Sequence, residues 1–289
     1  MRSLLPGCRV AEKRLSELLV VGGASLDVLH LADGRTATAA GGAGLYTALA
    51  ARQAGARVTL LAPRPDPMPE SLRPAAERLT WIGPVIAVED LMRLEIAHHG
   101  GGRATLVSAQ WGAVARLAPD ALPADLAAFD IIHIAALGAA RRQRDFLRAA
   151  RRRGARRISA GTYARAVYGE TDDVRALFAG ADLFFMNENE ANGLFGSVEQ
   201  ARARPGALLF ITLGERGARV VGVGEAGVAL AGLPAREVDP TGAGDSFCGA
   251  VLAGLARGLT PVEAARRAVS LAARVIEAVG PAALLSQEG

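Results

Sequence analysis

The chain has 289 residues and a formal net charge of +4, enough length for a buried core and for one large α/β domain or two small ones. Aromatic residues make up only 4%, so the core must be built from Ala, Val, Leu and Ile. The positive charge is nearly all arginine, Lys13 being the only lysine, which excludes a phosphate loop of the kind that needs a lysine after its glycines.

Residues 1–17 read as an N-terminal arm with no assignable role. Their charges (Arg9, Glu12, Lys13, Arg14, Glu17) are scattered, with no apolar signal core after them, and no apolar run in the chain is long enough to span a bilayer. Cys8 and Cys248 belong to no metal-ligand pattern and make no disulfide scaffold. A cytoplasmic protein with no membrane partner is therefore expected.

Leu18 to Gly23 is a short apolar run stopped by glycines, a buried strand, with Asp27 close behind it. An extended stretch then turns at Asp33-Gly34, a hairpin signal. Gly41-Gly42-Ala43-Gly44 opens a helix from Leu45 to Gln53, closed by Gly55, and Val58 to Ala62 is the next strand. Proline punctuates residues 63–74, a connector with a helix after it. Residues 80–108 turn extended around Gly100-Gly101-Gly102 and are expected to form more strands of a small sheet outside the main layer. His98-His99 lies there; on an extended segment the two side chains point to opposite faces, and polar surface is the reading.

From Asp130 the alternation is regular. Strands are expected at 131–134, 157–159, 182–186 and 207–212, with helices at 141–153 and 172–178 between them. Apolar strands alternating with helices mean a parallel sheet covered on both faces. The basic run Arg151 to Arg157 has no aromatic platform and reads as a solvated helix end, so no nucleic-acid partner is expected. Residues 218–223 and 227–231 look like an antiparallel pair at the sheet edge. Gly222 to Gly227 matches a dinucleotide-binding glycine pattern, but no helix follows, so it is read as their hairpin turn. The last long helix opens with a capping box at Thr260-Pro261-Val262-Glu263.

Three stretches carry chemistry. Val238-Asp239-Pro240-Thr241-Gly242-Ala243-Gly244-Asp245 reads as a strand end and small-residue turn opening a helix. Its unpaired amides and dipole suit phosphate oxygens. Asp245 at that mouth is either a proton acceptor in phosphoryl transfer, a metal ligand or a helix cap. Asn187-Glu188-Asn189-Glu190 follows a buried strand at the edge where open α/β sheets bind ligands; helix capping is the alternative there. Thr212-Leu213-Gly214-Glu215-Arg216-Gly217 follows another strand and permits close backbone approach to a ligand.

Taken together, the set resembles the ribokinase-like, or PfkB, carbohydrate kinase family. Asp239 to Asp245 resembles its C-terminal signature, and Gly41-Gly42 opening a helix its N-terminal one. Asn187-x-x-Glu190, Thr212-x-Gly214-x-x-Gly217 and Asp27 match further motifs in the same order, so that the resemblance spans about Leu18 to Gly280. It implies a three-layer α/β/α sandwich with a mostly parallel sheet over residues 18–289, and a small β-strand lid from strands near 28–39 and 80–108. It further implies ATP-dependent phosphorylation of a hydroxyl on a small-molecule sugar, polyol or nucleoside. Asp245 would be the general base, with the amides of Gly242, Ala243 and Gly244 as anion hole. Asn187 and Glu190 would organise Mg2+ and its waters, and Thr212, Gly214 and Gly217 would line the nucleotide site. Asp27, Gly41 and Gly42 would hold the substrate. Asp239 and Thr241 match positions that bind a monovalent cation such as K+ in some relatives, and family members often form a homodimer through the lid.

Departures from the family pattern concern the acceptor. Tyr46 stands where sugar kinases of the family carry an asparagine that binds a sugar hydroxyl. Ser159-Ala160-Gly161-Thr162-Tyr163 replaces an Asp-Pro-Asn-type segment, Met186 replaces a common basic residue, and the first lid hairpin is short. These changes weigh against ribose and fructose 6-phosphate and leave a polyol such as inositol, a nucleoside or an unusual sugar. The same changes sustain an alternative, a catalytically silent relative that binds nucleotide or sugar as a sensor. From its position at a helix N-terminus, Asp245 is expected to have a lowered pKa.

Overall fold

The computed structural model describes residues 15–224 and 227–286; the arm at 1–17 therefore falls almost wholly outside the described residues. In chain order come β1 (Glu17–Val21), β2 (Ser25–His30), β3 (Thr36–Gly41), α1 (Ala43–Gln53), β4 (Arg57–Leu61), β5 (Arg64–Pro65), α2 (Arg73–Ala76), β6 (Thr80–Ile82) and β7 (Val85–Ile86). There follow β8 (Met92–Gly100), β9 (Arg103–Gln110), β10 (Ile131–Ile134), α3 (Ala140–Arg152), β11 (Ile158–Gly161), α4 (Ala164–Gly169) and α5 (Thr171–Gly180). The chain closes with β12 (Leu183–Asn187), α6 (Glu188–Phe195), β13 (Leu208–Thr212), β14 (Ala218–Val221), β15 (Val228–Leu230), α7 (Ala243–Ala256), α8 (Pro261–Val275) and α9 (Ala282–Leu285).

Nine strands form one sheet in the order β15-β14-β13-β12-β11-β10-β1-β4-β6. The run from β13 to β6 is parallel, and the edge pair β14–β15 is antiparallel. Its strands are apolar throughout because both faces are covered. In β1, Leu18 and Val20 face the layer of α1, α7, α8 and α9, whereas Leu19 and Val21 face the layer of α3 to α6. In β12, Leu183 and Phe185 divide from Phe184 and Met186 in the same way. The result is the expected α/β/α sandwich. The expected capping box of α8 is present, with Thr260 accepting from Glu263 N and Glu263 from Thr260 N. The glycine run after β14 joins two antiparallel strands, Val220 lying opposite Val228, so it is a hairpin connection.

A second, four-stranded sheet has the order β3-β2-β8-β9. It takes in residues 25–41 and 92–110, and one part of the expectation fails. Thr80 to Ile82 does not belong to it, because β6 pairs in parallel with β4 and extends the main sheet. Trp81 is tied there by its indole N–H, which donates to Ala62 O at 3.1 Å. Helix α4 was also not expected; its six residues are too few for a periodic signal. Among the described residues, no helix is long and apolar enough to cross a membrane.

Candidate active site

Parallel strands place all their C-terminal ends on one edge, and the candidate residues gather there. Asn187 ends β12 and lies directly beside Thr212, which ends β13. Asn187 caps α6: its side chain accepts from Glu190 N at 2.9 Å, while Glu190 Oε2 accepts from Asn187 N at 2.9 Å and Oε1 from Asn187 Nδ2 at 2.8 Å. The pair is thus a complete reciprocal cap. It is also a buried carboxylate. Burial pushes the Glu190 pKa up to about 8 against the lowering effect of Asn187, and the nearby Asp245 charge pushes it the same way.

Asp245 is the third residue of α7. The turn before it is shaped by Gly242, whose φ of 76° is left-handed. A Cβ on Gly242 would collide with the ring of Tyr46, so the turn lies flat against that ring. Ala243 N donates to Pro240 O at 3.3 Å, which takes one of the three expected anion-hole amides into the turn itself. Among the described residues, the amides of Gly242 and Gly244 meet no acceptor, and the space around Gly244 is open. Burial raises the Asp245 pKa from its ordinary 3.8 to about 6. This is opposite to the lowered value expected from the helix end: although Asp245 lies in the first turn of α7, loss of water outweighs the helix dipole there.

Across from this turn lies the second cluster. Asp27 on β2 is opposite Ala39 of β3, and its carboxylate occupies the space where a Cβ on Gly41 would be. Burial raises the Asp27 pKa to about 6, opposed by the Ser25 hydroxyl and the Leu94 backbone, with a further rise from Asp239; its Oδ1 has no hydrogen-bond partner. Gly42 caps α1 beside the Gly23 carbonyl. Tyr46 is buried on α1, and its hydroxyl, without a partner, is held far from ionisation by burial and by the charges of Asp239, Asp27 and Asp245. Close packing of α1 on α7, where Gly249 leaves room for the Thr47 carbonyl, fixes the two clusters against each other.

The remaining expected residues divide. Gly214, after Thr212, is open on the Cβ side, whereas Gly217 is a glycine because the backbone of residues 230–232 passes over it. Asp239 is buried: Oδ1 accepts from Thr241 N at 2.9 Å and Oδ2 from Gly280 N at 2.7 Å. His98, read from the sequence as surface, is buried on β8 against these groups, its Nε2 3.0 Å from Thr241 Oγ1 and 3.5 Å from Asp239 Oδ1. The sequence did hold the signal, since one of two adjacent histidines on a strand must face inward when the other faces solvent. His99 is the outward one, bonded to Thr105. In the segment that departs from the family pattern, Ser159 Oγ bonds His133 Nδ1 at 2.9 Å, and Tyr163 lies against Trp111 with ring centroids 5.8 Å apart.

The donor sets can be tested against the implied ions. Glu190, buried, and Asp245, half-buried, are neighbouring carboxylates that no cationic side chain among the described residues offsets, oxygen donors of the kind that hold Mg2+ through water and nucleotide phosphates. A monovalent cation at Asp239 and Thr241 fits less well, because both Asp239 oxygens hold backbone amides and the Thr241 hydroxyl faces His98.

The chain is similar to known kinases over nearly its whole length. A cytidine kinase of Thermococcus kodakarensis is 28% identical over 275 residues, covering 91% of this chain and 97% of the relative. The adenosine kinase of Sinorhizobium meliloti superposes with a TM-score of 0.76 at 20% identity, covering 93% of this chain and 96% of the other. A ribokinase of Cryptococcus neoformans var. grubii serotype A in complex with ADP gives 0.75 at 20% identity, covering 94% and 97%. The family model for the pfkB family carbohydrate kinases matches residues 17–288. The chain that carries this sandwich and these two facing clusters therefore belongs to the pfkB family of carbohydrate kinases, and is a phosphotransferase.

Proposed function

We propose that the protein transfers the terminal phosphoryl group of ATP to a hydroxyl of a small acceptor, with a nucleoside as the acceptor class to test first. The observation that carries the reading is Asp245: a half-buried carboxylate whose pKa is raised to about 6 by loss of water, beside the open amides of Gly242 and Gly244. A base poised near neutral pH is ionised yet able to take a proton. The nucleoside preference is supported by the cytidine kinase likeness over nearly the whole chain and by Tyr46 in place of a sugar-binding asparagine.

In this mechanism Asp27, with its unpartnered Oδ1, orients an acceptor hydroxyl above Gly41 and Gly42, and Tyr46 walls the site. Phosphoryl transfer needs mainly positioning and charge stabilisation. The acceptor oxygen attacks phosphorus as the bond to the leaving nucleotide breaks, and its proton passes to Asp245 late, as that oxygen becomes acidic. The amides of Gly242 and Gly244 meet the charge on the moving group, and Ala243 shapes the turn. Mg2+, held through water at Glu190 beside Asn187, would neutralise the nucleotide phosphates. Thr212 and Gly214 line the nucleotide side, and Gly217 keeps that loop in shape. The smaller sheet acts as the lid. Its edge strand β9 exposes Leu106 and Val107, which supports a homodimer through the lid.

A screen of phosphate transfer from ATP with Mg2+ over nucleosides, polyols and sugars, with Asp245→Asn alongside, tests the proposal. Turnover of a nucleoside that Asp245→Asn abolishes is the expected result. Turnover that survives the substitution would overturn the mechanism. Nucleotide binding without transfer to any acceptor would favour the silent sensor.

A further inference from the structure

The turn that aims the open amides is gripped from the smaller sheet at two points. His98 of β8 has a side chain with no solvent exposure, set against Thr241 and Asp239, and its Nδ1 is buried without a partner. Five residues ahead of Gly242, Glu237 accepts from Gly102 N, in the β8–β9 turn, at 2.7 Å. The carboxylate of Asp239 can only accept, so the hydrogen of the His98 ring belongs on Nε2, directed between Asp239 Oδ1 and Thr241 Oγ1. That places the positive end of an N–H dipole beside a buried carboxylate. Two backbone amides, from Thr241 and Gly280, donate to this carboxylate. A cation beside Asp239 would therefore meet oxygens already engaged and an imidazole in its way.

We propose that His98 is a positioning residue for the phosphate-binding turn, filling from the lid the place beside Asp239 that a monovalent cation would otherwise take, so that turnover needs no such cation. The inference rests on the kinase reading. Segment 239–241 runs directly into Gly242, so the direction of the Gly242 and Gly244 amides depends on how Asp239 and Thr241 are held. The contact also ties the acceptor-covering sheet to the phosphate end of the site.

The test compares wild type, His98→Ala, His98→Gln and His98→Asn in potassium and in tetramethylammonium buffers. Wild-type kcat should be the same in both. His98→Ala should lose about 10–100-fold in kcat, the scale of a misplaced reacting group, with little change in KM for ATP. Glutamine can place an N–H near the Nε2 position and should retain most of the rate; asparagine is too short to reach and should not. Added imidazole or K+ should restore part of the His98→Ala rate. Wild-type turnover that requires K+, or His98→Ala turning over as fast as wild type, would overturn the proposal. Thermal unfolding provides a second readout: K+ should raise the Tm of His98→Ala and leave wild type unmoved, and an equal response of the two would refute it. That measurement needs no acceptor, so a wild type inactive on every acceptor would sink the kinase reading while His98 is still decided. Should His98→Ala fail to fold, the Gln–Asn contrast serves in its place.

Discussion

Asp245→Asn separates the catalytic reading of this residue from the capping one, because the two predict opposite changes in stability. Burial raises its pKa from 3.8 to about 6. Below 3.8 the group is protonated in both folded and unfolded chains and costs nothing. Between the two values the folded chain binds more protons than the unfolded one, so stability falls as pH rises; above about 6 the full cost of the ionised group is present. A shift of about 2 units at about 1.4 kcal/mol each sets that cost at about 3 kcal/mol at most. The neutral asparagine escapes it. The variant should therefore be more stable than wild type at about pH 8, with a Tm higher by up to about 5 °C, and the difference should vanish by about pH 4. Turnover should fall about 10²–10⁴-fold, the usual contribution of a general base, while ATP binding persists. In wild type, kcat/KM for the acceptor should drop about tenfold per pH unit below about 6. Calorimetry or dye-monitored unfolding across pH, beside a coupled assay of ADP release, measures both effects. A variant less stable than wild type at high pH would mean that the helix end stabilises the carboxylate, and the base assignment would lose its physical ground.

Further substitutions probe the rest of the site. Glu190→Gln keeps an acceptor for Asn187 N, so the fold should hold while turnover falls and more Mg2+ is needed. Because the Glu190 pKa lies at about 8, the Mg2+ requirement of wild type should ease as pH rises towards that value and that of the variant should not, read from Mg2+ titrations of activity. Gly242→Ala places a methyl group into the Tyr46 ring at a left-handed backbone position, and should cost about 2–4 kcal/mol in urea unfolding. Adding Tyr46→Leu should recover the steric part of that loss and not the backbone part. Gly41→Ala drives a methyl group into the Asp27 carboxylate and should raise KM for the acceptor well above its effect on KM for ATP, in steady-state kinetics.

The order of elements along this chain was legible because apolar periodicity and turn residues are local. Each strand from β10 to β15 and both long helices α7 and α8 lie where the sequence placed them, and the α8 cap forms from the four residues that signalled it. The same locality put Asn187 and Thr212 on one edge, since parallel strands that alternate with helices end on one side. Tertiary structure decided what depends on distant partners. Residues 80–82 joined the main sheet because β4 offered a free edge, a choice that three residues cannot encode. His98 turned inward to meet Thr241 across 143 positions of sequence, and Gly280 came to Asp239 from beyond α8. The Asp245 pKa is raised by loss of water on folding, which no local pattern encodes. Hydrophobic pattern is written residue by residue. Desolvation and cross-sheet contacts are sums over the folded chain, and they settle the electrostatics of this site.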